Sequence, residues 1–339
     1  VRRDHGQGRA ADAARGRGRA RIQPDVGAAA AAIGGRLHRT PILSSDTLGK
    51  AFGGRAFLKA ELLQKTGSFK PRGVLNKLAS LTAEERARGV IAASAGNHAA
   101  ALAYCSALEG IDCLVVMWQG ASEQKRAAAL GYGAAVDQEA AGPTEVFERL
   151  GELQEATGRV LVHPFADPLV IAGQGTVGLE IGEDVPDVDV VVVPVGGGGL
   201  VSGIATALPG ARIVAVEPEG SAALHEGLAA GKSVPVVPRS IADGLNAPFA
   251  GELNVAICAA RGVESVLVTE EDIHEGFRFV YERAKLAAEP AGAAGIAALL
   301  AGKVAGVEGK TVAVVVSGGN VAGETASGIL KPDPAQAER

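Results

Sequence analysis

The sequence predicts an α/β protein made of two doubly wound, open parallel sheets, and three observations carry that prediction. Short Val-rich apolar runs alternate with helical patterns along most of the chain. Strands joined through helices pair in parallel and are covered on both faces, so they read as continuous apolar runs. The runs, at 56–60, 89–93, 113–117, 160–162, 189–195, 212–217, 265–268 and 310–316, are more than one small unit needs, so two domains are expected in 339 residues. Finally, glycine, serine and asparagine gather just after several of these runs, where open α/β sheets place their active sites.

Taken in order, the first 25 residues hold seven arginines and three aspartates, net +4, without hydrophobic periodicity. Residues 1–26 therefore read as a disordered tail. An RNA-binding arm is the sharper reading, but no aromatics are interleaved. Folded sequence is expected to begin near Ile33, with Thr40-Pro41-Ile42 as the entry to the core. Helical patterns fall at 97–109, 122–130, 144–157 and 270–285. Aromatics make up only 4% and glycines number 47, so Ala and Val must fill the core.

The net charge of −5 gives no reason to expect nucleic acid or an anionic membrane as partner. No apolar run approaches a membrane span, and no basic-then-apolar signal opens the chain. Cys105, Cys113 and Cys258 are odd in number and form no CxxC pair. They read as reduced, mostly buried thiols in a cytoplasmic protein.

Four loops carry the chemistry. In Thr66-Gly67-Ser68-Phe69-Lys70-Pro71-Arg72-Gly73, Lys70 stands at a predicted helix start. The positive end of the helix dipole favours its neutral amine, the form that Schiff-base chemistry with a carbonyl or pyridoxal cofactor requires. Phe69 is placed to lie against a flat ring. In Ser94-Ala95-Gly96-Asn97-His98, a strand end meets a helix N-terminus that suits a carboxylate. Judged alone, that loop reads as an ordinary cap by Ser94 or Asn97. A third strand runs into Gly196-Gly197-Gly198-Gly199-Leu200, where four residues without Cβ let N–H groups curl around a phosphate. Val201 breaks the dinucleotide fingerprint, and the P-loop lysine is absent. In the fourth, Ser317-Gly318-Gly319-Asn320, a hydroxyl faces the same crevice. An amine, an aromatic plate, a phosphate cup and a carboxylate cradle together describe a pyridoxal phosphate site that takes an amino acid.

With Ile171-Ala172-Gly173-Gln174-Gly175-Thr176 and Ala242-Asp243-Gly244 added, these motifs resemble the threonine/serine dehydratases and serine racemase, pyridoxal phosphate enzymes of fold type II. The resemblance spans roughly residues 37–330, in family order. It implies two domains with the cofactor in the cleft between them: 27–88 with 166–331 as the large one, 89–165 as the small one, and 332–339 as a tail. By resemblance, Lys70 holds the cofactor and carries the proton, and Phe69 lies on the ring. Asn97 bonds the 3′ oxygen, Gly196 to Leu200 hold the phosphate, and Ser317 meets the ring nitrogen. Gly244 and Glu289 lie near the ring, and Ser94, Ala95, Asn97 and His98 line the substrate carboxylate. A hydroxyl partner leaves the ring a moderate electron sink, which favours prompt expulsion of a β-hydroxyl. The implied reaction is α,β-elimination from L-threonine or L-serine through an aminoacrylate to a 2-oxo acid and ammonia.

Related serine racemases carry a serine where this chain has Ala95, so the second acid/base needed for racemisation is missing. Glu217 sits where the family has a metal-binding carboxylate, with the Ser221 carbonyl beside it, but the next expected acid falls at Ala223. A divalent or monovalent cation is thus a partial match. The chain stops soon after Asn320, so a short, catabolic-type enzyme and a homo-oligomer (dimer or tetramer) are expected. The alternatives are a racemase, another β-eliminating enzyme of the same cofactor class, and a non-catalytic phosphate-binding regulator. His163 is expected to be a loop residue rather than a second base.

Overall fold

The computed structural model describes residues 24–142 and 145–331. Most of the expected N-terminal tail, residues 332–339 and Thr144 lie outside the described residues. Folded sequence nevertheless starts before Ile33. Asp25 accepts the N–H of Ala28 (2.9 Å) and caps helix α1 (Val26–Ile33), which buries Val26, Ala29 and Ile33. A run of alanines carries no periodic apolar signal, yet alanine is the best helix former.

The chain continues through β1 (Ile42–Ser44), α2 (Asp46–Phe52), β2 (Arg55–Lys59), α3 (Lys70–Ala79) and α4 (Ala83–Arg88). Next come β3 (Val90–Ala93), α5 (Asn97–Glu109), β4 (Cys113–Trp118), α6 (Glu123–Gly131), β5 (Ala135–Ala140), α7 (Glu145–Thr157) and β6 (Val160–Leu161). Then follow α8 (Pro168–Asp184), β7 (Val190–Pro194), α9 (Gly199–Ala207), β8 (Arg212–Pro218), α10 (Ala223–Ala230), α11 (Glu252–Ala260) and β9 (Glu264–Val268). The last described elements are α12 (Glu270–Glu282), α13 (Pro290–Leu300), β10 (Thr311–Val315) and α14 (Gly323–Leu330).

The strands form two sheets, one of six in the order β1-β2-β10-β7-β8-β9 and one of four in the order β5-β4-β3-β6. All neighbours are parallel except β1 and β2. Two strands escape the sequence signal. β1 is a three-residue edge, and β5 reads Ala-Val-Asp-Gln-Glu-Ala, too polar to announce itself. Both sit at sheet edges, where one side of the strand needs no partner.

In the six-stranded sheet alternate valines face opposite layers. Val190 and Val192 join the core under α12 and α13, while Val191 and Val193 join the core with α8 and α9. Each such fully buried side chain contributes about 1.5–3 kcal/mol. The absence of large side chains is met by close approach. A Cβ on Gly203 of α9 would fall 2.5 Å from the Gly175 nitrogen and the Ile171 carbonyl of α8. The Ile171–Thr176 motif is thus a helix-packing device.

Helix α3 is held from two sides. Val74, Leu75 and Leu78 enter the core of the four-stranded sheet with Val90, Ala92 and Val115. On the other side, a Cβ at Gly73 would lie 2.7 Å from the Val170 carbonyl of α8. Beneath its first turn lies a buried ionic network. Arg72 donates to Glu61 (2.8 Å to each oxygen) and to Glu180 (2.7 and 2.9 Å), and Lys59 donates to Glu180 (2.6 Å) and the Thr40 carbonyl (2.7 Å). Burial opposes the Arg72 charge, but the two carboxylates outweigh it and raise its pKa. All three cysteines are buried and free.

Candidate active site

The four loops singled out in the sequence converge between the two sheets. The Lys70 loop is tied to the end of β10: Phe69 donates its N–H to the Ser317 carbonyl (3.2 Å), Gly319 donates to Gly67 (2.9 Å), and Ser68 bridges Gly318. Thr66 adopts φ 61°, a left-handed conformation rare for a β-branched residue. Its carbonyl is clamped by Asn320 Nδ2 (2.8 Å).

Lys70 is half-buried at the first turn of α3. Its Nζ donates to the Pro164 carbonyl (3.0 Å) and lies 5.1 Å from the centre of the Phe69 ring. Burial lowers the ammonium pKa to about 8, against the opposing pull of the Glu289 carboxylate. The shift has the expected direction, and its cause is desolvation.

The loop after β3 does not behave as a capped helix. Gly96 is the N-cap of α5 and no side chain caps it. Ser94 Oγ accepts from the Gly96 N–H at 3.3 Å. Asn97 instead donates through Nδ2 to Glu289 Oε1 (2.7 Å) and accepts from Asn320 Nδ2 (2.8 Å) at Oδ1. Glu289 is buried, and burial together with Asp243 raises its pKa to about 7. A Cβ on Gly318 would sit 2.3 Å from Glu289 Oε1, so any side chain there would displace this carboxylate. His98 is buried, bonds the Val162 carbonyl through Nε2 (2.8 Å) and leaves Nδ1 without a partner. Burial, with Lys70 nearby, lowers its pKa to about 3, so it is neutral and Nε2–H is the donor. Ala95 is half-buried against the core of the four-stranded sheet.

Gly198, with φ +91°, caps α9, whose first-turn N–H groups have no intrahelical acceptor. Neighbours press on the whole cup. A Cβ on Gly197 would meet the Phe165 ring at 2.3 Å, and one on Gly196 would meet the Leu245 backbone at 3.2 Å. Gly244 faces Ala291 and Glu289 in the same way, at 3.0 and 3.5 Å. Ser317 is buried at the end of β10.

Glu217 and Ser221, the residues of the partial cation match, bond backbone groups of the protein. Glu217 is buried and accepts the N–H groups of Leu224 and His225 (2.8 Å each), so its two oxygens cap α10. Desolvation raises its pKa to about 7. Ser221 Oγ donates to the Leu245 carbonyl (2.9 Å). Among the described residues no group of three His, Cys, Asp or Glu side chains is placed to hold a metal.

Sequence reasoning missed the segment His163-Pro164-Phe165 as part of the site. His163 behaves as the loop residue expected, since its Nδ1 accepts from the N–H groups of Phe165 (3.3 Å) and Ala166 (3.0 Å). Burial and Lys70 lower its pKa to about 4. The signal was there to be used: the segment follows β6 just as the other loops follow their strands. In the sequence Asn320 is only the end of a motif, and its clamp on Thr66 and Asn97 has no local signal.

An amine held at low pKa, a glycine cup at a helix start and a buried polar network between two parallel sheets define an enzyme that holds a phosphorylated carbonyl cofactor. Residues 33–318 match the model of the pyridoxal-phosphate dependent enzymes, and the chain belongs to that family. Among curated proteins it is 46% identical over 290 residues to the L-threonine ammonia-lyase of Thermotoga maritima, covering 84% of this chain and 72% of that one. It is 41% identical over 315 residues to the catabolic L-threonine dehydratase TdcB of Staphylococcus aureus, covering 91% of each. Maize serine racemase superposes with a TM-score of 0.85 at 37% identity, covering 89% of this chain and 94% of that one. The T.th. threonine deaminase superposes with a TM-score of 0.81 at 40% identity, covering 88% and 98%. The fold is therefore that of the fold type II pyridoxal phosphate enzymes.

Proposed function

We propose that the chain is a pyridoxal phosphate-dependent dehydratase that converts L-threonine, and L-serine, to a 2-oxo acid and ammonia. The single observation that carries this reading is the Lys70 amine, lowered to about 8, held beside the Phe69 ring and bonded to Pro164, whose neighbour Phe165 presses on the glycine cup. The relatives named for threonine support the substrate class.

The residues present fit the cofactor. A nucleophilic amine suits its aldehyde, the N–H groups of Gly196 to Leu200 suit its phosphate, and the Phe69 ring suits its flat face. The Ser317 hydroxyl is assigned to the ring nitrogen and the Asn97 amide to the ring oxygen, with Gly244 and Glu289 at the ring's edge. Bound there, the cofactor supplies an electron sink that acidifies the Cα–H bond of an amino acid. Lys70 removes that proton. The β-hydroxyl leaves as water, and the unsaturated amine that departs hydrolyses to the 2-oxo acid and ammonia. Ser94, Ala95, Asn97 and His98 hold the substrate carboxylate at the start of α5. His98, neutral with Nε2–H committed to Val162, adds no positive charge there.

Ala95 offers no proton on the face opposite Lys70, so the reading is elimination rather than racemisation. The test is incubation with L-threonine, L-serine and D-serine, assaying 2-oxo acid and the opposite enantiomer. Appreciable D-serine from L-serine overturns the argument from Ala95, and absence of 2-oxo acid from both L-substrates overturns the dehydratase reading. The division into a large unit and a smaller one at residues 89–165, and a cytoplasmic, catabolic role, belong to the same proposal. Among the described residues no helix is long and apolar enough to cross a membrane.

A further inference from the structure

The mouth of the cleft between the sheets is a cavity of about 530 Å3 that includes Gly96, Asn97, Lys125, Asp243, Glu289 and Asn320 in its lining. Across it, Lys125 Nζ donates to Asp243 Oδ2. The two partners belong to different cores. Lys125 is on α6, whose Ala129 is buried with the four-stranded sheet. Asp243 lies in a short turn between Ala242 and Leu245, both buried with the six-stranded sheet. The neighbouring cation, Arg126, is taken by Glu123 within its own helix (2.9 Å). None of the roles assigned above uses Lys125 or Asp243.

We propose that Lys125 and Asp243 form a latch that holds the four-stranded unit closed over the substrate and so positions Asn97 against Glu289. Asn97 comes from the four-stranded side, on α5, which packs against α6. Glu289 comes from the six-stranded side, as the N-cap of α13. Their 2.7 Å bond exists only while the two sides stand at this separation, and the latch spans the same opening. The charged groups that face Glu289 are Asp243, Lys125 and Lys70. While the latch is shut, the Lys125 charge offsets that of Asp243; once it opens, Asp243 faces Glu289 alone. Both partners are partly exposed, at 32% and 53%. Such a pair is modest in strength and weakened by salt, which suits a contact that must open at every turnover.

The proposal rests on the elimination reading, and its test keeps the two apart. Lys125→Ala, Asp243→Asn and the charge-swapped double variant (Lys125→Asp with Asp243→Lys) are prepared as holoenzymes with cofactor absorbance confirmed. KM and kcat for L-threonine are then measured at low and high sodium chloride. Each single variant is expected to raise KM by about two- to fivefold with a smaller change in kcat. The swap is expected to restore KM, and the rise of KM with salt in the wild type is expected to vanish in Lys125→Ala. Wild-type KM in both single variants, or a swap no better than either, overturns the latch. Hydrogen exchange over residues 123–131 is read on the same holoenzymes whether or not the amino acid turns over. Exchange that quickens in the single variants and recovers in the swap supports the latch, and exchange equal in all four proteins overturns it. Loss of 2-oxo acid formation in the wild type bears instead on the elimination reading.

Discussion

The low pKa of Lys70 has a consequence that is measurable before any substrate is added. In the role proposed for it, the amine captures the cofactor only in its neutral form, so the capture rate follows the fraction deprotonated. With a pKa of about 8 in place of 10.5, roughly a quarter of the molecules are reactive at about pH 7.5, against roughly one in a thousand for an ordinary lysine. The advantage is on the order of two-hundredfold. The assay is stopped-flow mixing of apoenzyme with pyridoxal phosphate, following visible absorbance from mildly acidic to strongly alkaline pH. The rate is expected to rise with pH and level off through a midpoint of about 8. Because the Glu289 charge raises this pKa, Glu289→Gln is expected to move the midpoint lower. A midpoint near 10.5 would refute desolvation as the cause, and a Glu289→Gln shift to higher pH would refute the opposing pull of Glu289.

Other consequences concern stability and the cup. Removing one partner of the buried network, as in Glu61→Ala, leaves Arg72 with fewer counter-charges and is expected to cost about 3–5 kcal/mol, read as a lower chemical-denaturation midpoint. Folded His98 titrates near 3 and an unfolded histidine near 6.5. The unfolded chain therefore takes the proton first as pH falls, and stability present above 6.5 is lost between 6.5 and 3, by on the order of 5 kcal/mol in full. Glu217 and Glu289, raised to about 7, act oppositely: they favour the fold in acid and lose that contribution as pH rises from 4.5 through 7. Comparing Tm against pH for the wild type and His98→Asn isolates the histidine's share, and parallel curves below pH 6.5 would contradict it. Gly197→Ala drives a methyl into the Phe165 ring and is expected to cost about 1–3 kcal/mol, appearing as weaker cofactor retention in equilibrium dialysis; unchanged retention would contradict this account of the cup.

Legibility in the sequence followed physical cause. The central strands of the six-stranded sheet are plain in sequence because both faces are buried, so β7 reads as four valines and a proline and the glycines after it as a strand-end cup. Edge strands β1 and β5 are not, because a short or polar strand needs only one neighbour. Helix α1 was missed because alanines fold by propensity and close packing rather than by an apolar stripe. Among the residues that converge between the sheets, Lys70 and the glycine run stand out by residue type at a helix start and a strand end, whereas Asn97 and Ser317 stand out only in company with the other motifs. The polar network does not stand out. Asn320 reaching Thr66 and Asn97, and Lys125 reaching Asp243, join residues 254, 223 and 118 positions apart, pairings that only the assembled sheets create. Glu217 stays ambiguous in sequence for a related reason, since a carboxylate at a strand end serves a cation or a helix N-terminus equally well until its neighbours are known.

The most direct measurement on the central claim sets wild-type protein beside Lys70→Ala, each supplied with pyridoxal phosphate and L-threonine, and quantifies 2-oxobutanoate and ammonia. The account predicts equal amounts of the two products from the wild type and neither from the variant. A wild-type protein that releases no 2-oxo acid, or a Lys70→Ala variant that releases it at the wild-type rate, would contradict it.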